Sequence, residues 1–495
     1  MVRRCAGNIL SERESDMPEL SHRRSGGRGL MQTVASDVVR HTLYPLLKWY
    51  EDPKSQALLG EFQQYEFSSP EILARVQSEK LRKLLEHAGN RVPYYRQLFE
   101  SNGIKPAALR FPQDLSQIPV LSKNILRERK EELLAEPVDR QKLKWNASGG
   151  STGEPVQFYQ DEAYWTNSRA VRWMFESWWG IRPGEPTACI WGADRDLPEL
   201  KWRERLYYGI AQIRICNAFA LSDERMGQFA RSLSTWQPGF VMGYVSALEM
   251  FAHFLLNHPQ WRIRPRAVSS SAETLTEPQR AVIEKAFDAP VYNFYGSREV
   301  NNLAAECAVQ RGLHANMLTR YIEIVDELGV PCPPGVPGRI LVTDLSNAAM
   351  PFIRYENGDI GSWAEDPCPC RRPFPLLEKV WGRSSDFIVT SSGKAIHGEF
   401  FTHLFYTLPE VQTFQVLQNS VQDVRVSIVL RSGVQTFNPQ KLRNQILEAM
   451  GPGVECTIQA VEKIERAASG KHRFTISMVP APWSASGVVV GRDQK

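Results

Sequence analysis

The chain has 495 residues, of which 42% are hydrophobic and 23% are charged, and its formal net charge at pH 7 is +4. This length allows two or three domains with a large core, and so mild a charge gives no reason to expect a nucleic-acid partner. No apolar run approaches the roughly 20 residues of a membrane span, and the eight cysteines are scattered, which fits a reducing cytoplasm.

The N-terminal stretch is polar and rich in arginine, and it lacks the apolar segment of a signal peptide. We expect residues 1–30 to be a disordered extension, with Met31 as an alternative start. Further on, Ser69-Pro70-Glu71 has the N-cap, first-turn proline and first-turn acid that begin a helix, which we expect to stop near Gly89.

Between about residues 140 and 380, short apolar runs alternate with helical patterns. Strand-like runs are 188–191, 240–242 and 291–294, and helical patterns cover 223–235 and 278–287. This alternation predicts an α/β domain with mostly parallel sheets. Residues 321–325 and 339–342 flank a Pro/Gly-rich turn and predict a hairpin.

After Gly382 the pattern restarts as a small α+β unit, with an alternating strand face at 424–430 and a helix that begins after Asn438-Pro439. We therefore expect a large domain at 31–382, a small mobile C-terminal lid domain at 383–482 and a loose tail at 483–495. In the large domain, the aromatic run from Tyr164 to Trp179 could line an acid pocket, but its mixed helical spacing favours the core.

The segment from Ser148 to Pro155 is rich in glycine and hydroxyl groups, so it could offer donors to phosphate oxygens. It is not a Walker A loop, because no Gly-Lys-Ser/Thr closes it. A plain surface turn is the alternative interpretation.

In combination with its flanks, this loop resembles the phosphate loop of the adenylate-forming enzymes. Residues 92–96, 118–123 and 351–355 resemble the phenylacetate–CoA ligase family, especially its CapK-like members, and the resemblance covers roughly residues 60–480. It implies a large adenylate-forming N-terminal domain with a small C-terminal lid, and ATP as a substrate. Val156 stands where the family usually has a basic residue just after the loop.

The resemblance also implies roles for particular residues. Ser148, Ser151, Thr152 and Gly153 would wrap the β- and γ-phosphates. The adenine side would be formed by two motifs, which contain Ala272, Glu273, Tyr295, Gly296 and Ser297. Asp359 would bind the ribose hydroxyls, since a carboxylate can accept two hydrogen bonds from a vicinal diol, and Arg383 would lie nearby.

Three more matched positions concern catalysis and movement. Glu299 would help to hold Mg²⁺, as a hard carboxylate can, although it could also be an acid at a helix N-terminus. Lys471 follows Ser469-Gly470 and would reach from the lid to the charge that develops during adenylation. Asp386 would be the hinge.

Three cysteines and one histidine form a second group of candidate site residues. Cys307 and His314 are seven residues apart, and Cys368 and Cys370 are two apart. Three cysteines and one histidine suit a tetrahedral structural Zn²⁺, and some relatives carry a comparable site. Idle or buried cysteines are the alternative.

These residues predict an ATP-dependent ligase that joins a small carboxylic acid to coenzyme A through an acyl-adenylate. One alternative is transfer of the acyl group to an amine or hydroxyl, for instance in surface-polysaccharide assembly or secondary metabolism. A nucleotide-binding protein without catalysis is another alternative, but the presence of Glu299, Asp359, Arg383 and Lys471 argues against it. The acid and the oligomeric state are not predicted.

Overall fold

The computed structural model describes residues 42, 53–148, 156–191, 208–218, 221–383, 387–392, 395–397, 400–401, 404–405, 408–434, 437–465 and 473–479. The helices are α1 (Pro53–Gln64), α2 (Pro70–Arg91), α3 (Pro93–Ser101), α4 (Lys123–Glu128), α5 (Glu162–Trp178), α6 (Asp223–Trp236), α7 (Val245–Asn257), α8 (Glu277–Phe287) and α9 (Gln440–Met450). Among these described helices, none is both long and apolar enough to cross a bilayer.

Nineteen strands are described. Up to residue 383 they are β1 (Lys144–Ala147), β2 (Gln157–Gln160), β3 (Thr187–Ile190), β4 (Ile213–Cys216), β5 (Phe240–Tyr244), β6 (Ala267–Ser271), β7 (Val291–Tyr295), β8 (Ala304–Glu306), β9 (Leu313–Ala315), β10 (Arg320–Val325), β11 (Gly338–Asp344), β12 (Tyr355–Trp363) and β13 (Leu376–Arg383). Those that follow are β14 (Phe387–Val389), β15 (Ala395–His397), β16 (Val411–Ser420), β17 (Asp423–Leu430), β18 (Glu455–Ala460) and β19 (Thr475–Ser477).

One large sheet organises the chain up to β13, with the strand order β10-β11-β12-β13-β9-β8-β7-β6-β5-β3-β4. The strands β4, β3, β5, β6 and β7 pair in parallel, and the remaining pairs are antiparallel. The α/β class is confirmed, and within this sheet the parallel pairing is confined to the segment where strands and helices alternate. The predicted hairpin is β10 and β11, whose residues pair from Arg320 with Asp344 to Val325 with Arg339.

Helices cover both faces of the parallel strands. On one face, α6, α7 and α8 pack against Ala188, Val241, Val268 and Val291. On the other face, α5 packs against alternate residues of the same strands, including Phe240, Ala267 and Tyr292. The aromatic residues of α5 are mostly buried there, so the core interpretation of this run is confirmed.

The helix that begins after Ser69 starts as predicted but ends later. The Ser69 hydroxyl accepts a hydrogen bond from the Ile72 N–H, and the helix continues through Gly89 to Arg91. Gly89 is not a terminator: a β-carbon there would lie 3.2 Å from the Phe99 ring. The helix ends because Pro93 forces the preceding Val92 into an extended conformation, with φ −109° and ψ 111°.

Residues 387–479 have a hydrophobic core of their own. A four-stranded sheet of order β18-β17-β16-β19 and helix α9 bury Val426, Ile428, Leu442 and Ile446 together. The predicted strand face and helix of this unit are both present. The boundary between domains near residue 382 stays a prediction.

Candidate active site

Strand β12 presents three polar side chains on one face. Tyr355, Asn357 and Asp359 alternate along the strand, and all three are buried. The period of two in a strand places them in a row. Tyr355 and Asn357 were missed by the sequence analysis as site residues, although this alternation within Tyr355-Glu356-Asn357-Gly358-Asp359 is the signal that could have found them.

The row on β12 meets the end of β7 at Tyr295. The Tyr295 hydroxyl donates to Asp359 Oδ2 at 2.8 Å and accepts from Asn357 Nδ2 at 2.7 Å. Asn357 Nδ2 also donates to Asp359 Oδ2 at 3.0 Å, and the Asp359 N–H donates to Asn357 Oδ1. Two motifs separated by 64 residues are thus joined by direct hydrogen bonds, which orient an aromatic ring and a carboxylate side by side.

Lys123 brings a cation to this group. It is the first residue of α4, which Ser122 caps through the Ile125 N–H. Its ammonium donates to the Asn357 carbonyl oxygen at 2.7 Å. Lys123 was quoted in the sequence only as a flanking residue, because its 234-residue separation from Asn357 hides the contact.

Glu299 is 4% exposed and lies in the irregular segment between β7 and β8. The helix-N-terminus interpretation of Glu299 is therefore wrong. Its Oε1 accepts from the Tyr355 hydroxyl at 3.2 Å, and its carbonyl oxygen accepts from Tyr164 and Gln160 at 3.4 Å. Hydrogen bonds hold both the main chain and the side chain of Glu299, so its carboxylate has a fixed position next to Tyr355 of β12.

A buried arginine supports the same segment. Arg320 is fully buried, pairs with Asp344 at 2.6 Å and lies 5.2 Å from the centre of the Tyr164 ring. It also donates to Asn301 Oδ1 at 3.3 Å. Gly296 at the start of the segment allows a close chain approach, since a β-carbon there would lie 2.9 Å from the Asn302 nitrogen.

The segment after β6 has a structural contact of its own. Ala272 has a positive φ of 71°, and the Glu273 carboxylate accepts from the Ser246 N–H at 2.7 Å and from its hydroxyl at 3.0 Å. Ser246 is in the first turn of α7, so Glu273 caps that helix from the segment that follows β6. A role for Ala272, Glu273 or Ser297 at the adenine stays a prediction.

The glycine-rich loop is described only at its ends. Ser148 and Val156 exchange hydrogen bonds: the Ser148 N–H donates to the Val156 carbonyl at 2.8 Å, and the Val156 N–H donates to the Ser148 hydroxyl oxygen at 3.0 Å. Val156 is buried in the core, which explains an apolar residue there. Outside the described residues lie Ser151, Thr152, Gly153, Asp386 and Lys471. Arg383 is described by its backbone, which pairs β13 with β12 opposite Asp359.

The four candidate zinc ligands come together. The ligand atoms of Cys307, His314, Cys368 and Cys370 all lie within 4.8 Å of one another. Cys307 Sγ is 3.7 Å from Cys368 Sγ, and Cys370 Sγ is 3.2 Å from His314 Nε2. Hydrogen bonding from Cys307 lowers the pKa of Cys370 to about 3, with a further contribution from His314, and the same pairing raises the pKa of Cys307.

Comparison with known proteins bears on both parts of the chain. The CapK C-terminal domain family matches residues 388–478. Protein CapK of Staphylococcus aureus is 23% identical over 82% of this chain and 90% of its own length. The phenylacetate-coenzyme A ligase of Pseudomonas putida is 25% identical over 81% of this chain and 93% of its own length. That of Thermus thermophilus is 25% identical over 69% of this chain and 77% of its own length.

The chain is thus similar to CapK and to phenylacetate-coenzyme A ligases over a large part of its length. The fold of the chain is similar to that of 2-hydroxyisobutyryl-CoA ligase in the postadenylation state in complex with R3-HIB-AMP. The TM-score is 0.66, with 19% identity, and the match covers 84% of this chain and 91% of the other.

Proposed function

We propose that the chain activates a carboxylic acid with ATP and transfers the acyl group to coenzyme A. The observation that carries the proposal is the hydrogen-bonded group of Tyr295, Asn357 and Asp359. It joins an aromatic face, which suits an adenine, to a carboxylate that suits a ribose diol. The relatives named as phenylacetate-coenzyme A ligases support the same activity.

In the first step, an oxygen of the acid attacks the α-phosphorus of ATP. A new P–O bond forms, the bond to the β-phosphate bridging oxygen breaks, and pyrophosphate leaves with its electron pair. Glu299, which the Tyr355 hydroxyl orients, would hold a Mg²⁺ that neutralises phosphate charge. Ser148, Ser151, Thr152 and Gly153 would contact the phosphates, and Arg383 would lie beside the ribose.

In the second step, a thiolate attacks the acyl carbon, and AMP leaves. A mixed anhydride is a better acyl donor than the free acid, so one difficult transfer becomes two easier ones. We propose that Lys471 serves the first step and that the unit from 383 to 482 rotates about Asp386 before the second.

A second acceptor remains a candidate. The C-terminal residues match the CapK family, and Protein CapK is among the relatives. In that case an amine or hydroxyl would attack the acyl carbon.

The test is exchange of labelled pyrophosphate into ATP across a panel of aryl, fatty and hydroxy acids, followed by AMP release with coenzyme A or amines. Acid-dependent exchange is expected, with AMP release that rises when coenzyme A is added. If AMP release rises with an amine and does not change with coenzyme A, the acceptor is an amine and the thioester is excluded. Absence of exchange with every acid would contradict the ligase assignment.

We also propose one structural Zn²⁺ on Cys307, His314, Cys368 and Cys370. With Zn–S bonds of about 2.3 Å, two thiolates of a tetrahedral site lie about 3.8 Å apart, and the 3.7 Å between Cys307 and Cys368 fits this spacing. His314 Nδ1 lies 3.2 Å from the Phe374 carbonyl, an outer contact that orients its Nε2 toward the site.

Elemental analysis of purified protein should find about one zinc per chain. Cys368→Ser should lower the zinc content and the melting temperature, whereas Cys332→Ser, a cysteine outside the cluster, should change neither. Metal-free wild-type protein whose stability is untouched by Cys368→Ser would contradict the site.

A further inference from the structure

A charged pair lies between α5 and the parallel strands, in a layer otherwise rich in aromatic side chains. Arg172 Nε donates to Glu176 Oε1 at 2.7 Å, one helical turn away. The side chains are 34% and 13% exposed respectively. Their neighbours on α5 include Phe175 and Trp178, which pack in the hydrophobic core.

The guanidinium of Arg172 spans three strands. Its Nη2 donates to Met242 Sδ of β5 at 3.0 Å, and its centre lies 5.5 Å from the centre of the Phe294 ring of β7. Strand β6 runs between β5 and β7. The arginine head therefore lies above β6.

The residues of β6 below this head are small and polar. Ser269 pairs with Met242, and Ser271 pairs with Phe294, so both serines share the face that α5 covers. Neither hydroxyl has a hydrogen-bond partner among the described residues. The guanidinium of Arg172 therefore faces two short hydroxyl side chains, which lie between the larger side chains of Met242 and Phe294.

These side chains lie next to the candidate active site. Phe294 directly precedes Tyr295, and Ser271 directly precedes Ala272 at the carboxyl end of β6. Ligands of parallel α/β sheets bind at this edge. A molecule whose carboxylate lies at the nucleotide would extend its remote part along the sheet toward Arg172.

Arg172 has donors to offer such a molecule. An arginine carries five N–H groups, and Nε and one hydrogen of Nη2 are engaged. Nη1 donates to no described residue, and the thioether that Nη2 meets is a weak acceptor. If the Arg172–Glu176 pair served only to stabilise α5, the Nη1 and Nη2 groups of Arg172 would not need to lie over β6.

The charge balance restricts what binds there. Glu176 already compensates the positive charge of Arg172, and Glu176 is nearly buried. A second carboxylate beside the pair would be a poorly compensated charge in a half-buried place, which is costly. An uncharged oxygen accepts the same hydrogen bonds without that cost.

We infer that the acid substrate carries an uncharged oxygen group, a hydroxyl or a carbonyl, on the part remote from its reacting carboxylate, and that Arg172, Ser269 and Ser271 recognise it. This inference rests on the proposed function, since it assigns the acid of the same reaction. Arg172 is then a specificity-determining residue, and an unsubstituted aryl or alkyl acid is a poor substrate.

The test uses matched acids in pyrophosphate exchange: phenylacetate against its para-hydroxy derivative, and hexanoate against its terminal hydroxy derivative and adipate. In at least one pair the hydroxylated acid should have a kcat/KM roughly 10- to 100-fold higher, the range for one hydrogen bond to a charged group. Arg172→Met should abolish that preference and leave the KM for ATP unchanged. Arg231→Met, an exposed arginine of α6, should keep the preference.

Glu176→Gln provides a second readout, because it removes the compensating charge and keeps the shape. Adipate should then improve relative to the hydroxy acid. Exchange that favours the unsubstituted acids, with no effect of Arg172→Met on the ratio, would overturn the inference and leave the ligase intact. If no acid supports exchange, the ligase assignment fails, and thermal-shift binding of the same pairs with AMP decides the inference: equal shifts within each pair would overturn it.

Discussion

Glu299 is a buried carboxylate whose main chain and side chain are both held by hydrogen bonds. It is buried, its carbonyl oxygen is held by two donors, and the Tyr355 hydroxyl reaches its Oε1. Burying a carboxylate costs free energy, and a bound cation would offset that cost. The metal-ligand role of Glu299 stays a proposal, which a single substitution tests.

Glu299→Gln should lower the rate of pyrophosphate exchange by about 10²- to 10³-fold, the range for losing one electrostatic contact to the transition state. The amide keeps the shape and can still meet the Tyr355 hydroxyl, but it binds Mg²⁺ weakly. Exchange measured across a Mg²⁺ titration should show that the variant needs more metal. Glu327→Gln, at the β10–β11 turn, is the matched control. A rate unaffected by Glu299→Gln at low Mg²⁺ would remove the residue from catalysis.

The site residues differ in how far the sequence could identify them. Motif resemblance gave Tyr295, Glu299 and Asp359, and the structure joins the first and third directly. The contacts of Lys123 with Asn357 and of Tyr164 with Glu299 could not be found in this way, because each joins residues that are far apart in sequence. A contact across 135 or more residues leaves no local pattern in a single sequence.

At the scale of elements, Asp161 links a helix to a loop. Its Oδ1 accepts from the Tyr164 N–H and caps α5, while its Oδ2 accepts from the N–H groups of Ala348 and Ala349. Those alanines precede the Pro351–Tyr355 motif that enters β12. The capping residue thus fixes α5, which carries Tyr164 and Arg172, against the segment that leads into β12.

Asp161→Ala should destabilise the chain by more than the about 1 kcal/mol typical of a lost cap, because two further backbone donors lose their acceptor. Ser222→Ala is the matched control, since Ser222 caps α6 through the Arg225 N–H alone. Urea unfolding of the two variants should separate them. Equal losses would mean that the contacts to the loop add nothing.

The elements were predictable where local signals were strong. Period-two and period-three-to-four patterns identified β5, β7, the β10–β11 hairpin, α6 and α9. The pairing of β13 with β9 was not predictable, since it joins residues that are distant in sequence, such as Leu376 and His314. The stop at Gly89 failed because a glycine can also serve a close contact, here with Phe99.

At the scale of the whole molecule, formation of the acyl-adenylate and transfer of the acyl group should depend on different residues. Lys471→Ala should slow formation of the acyl-adenylate by about 10²- to 10³-fold, because a cation would be lost from the developing charge. Consumption of a pre-made acyl-adenylate with the acceptor should change much less. Lys463→Ala, an exposed lysine of the same unit, is the control. Equal losses in both half-reactions would contradict the role of Lys471.

Substitution of Asp386, the proposed hinge, should affect the other half-reaction. Proline at position 386 would fix φ and remove the backbone N–H, so the turn of one unit against the other would be blocked. Asp386→Pro should therefore leave pyrophosphate exchange nearly intact and sharply reduce thioester formation, because only the second step needs the rotated unit. Asp386→Ala keeps the freedom of φ and should retain more of the second step. Single-turnover measurements of both half-reactions decide the point. If proline and alanine reduce thioester formation equally, the loss comes from the carboxylate and not from the hinge, and rotation about residue 386 is contradicted.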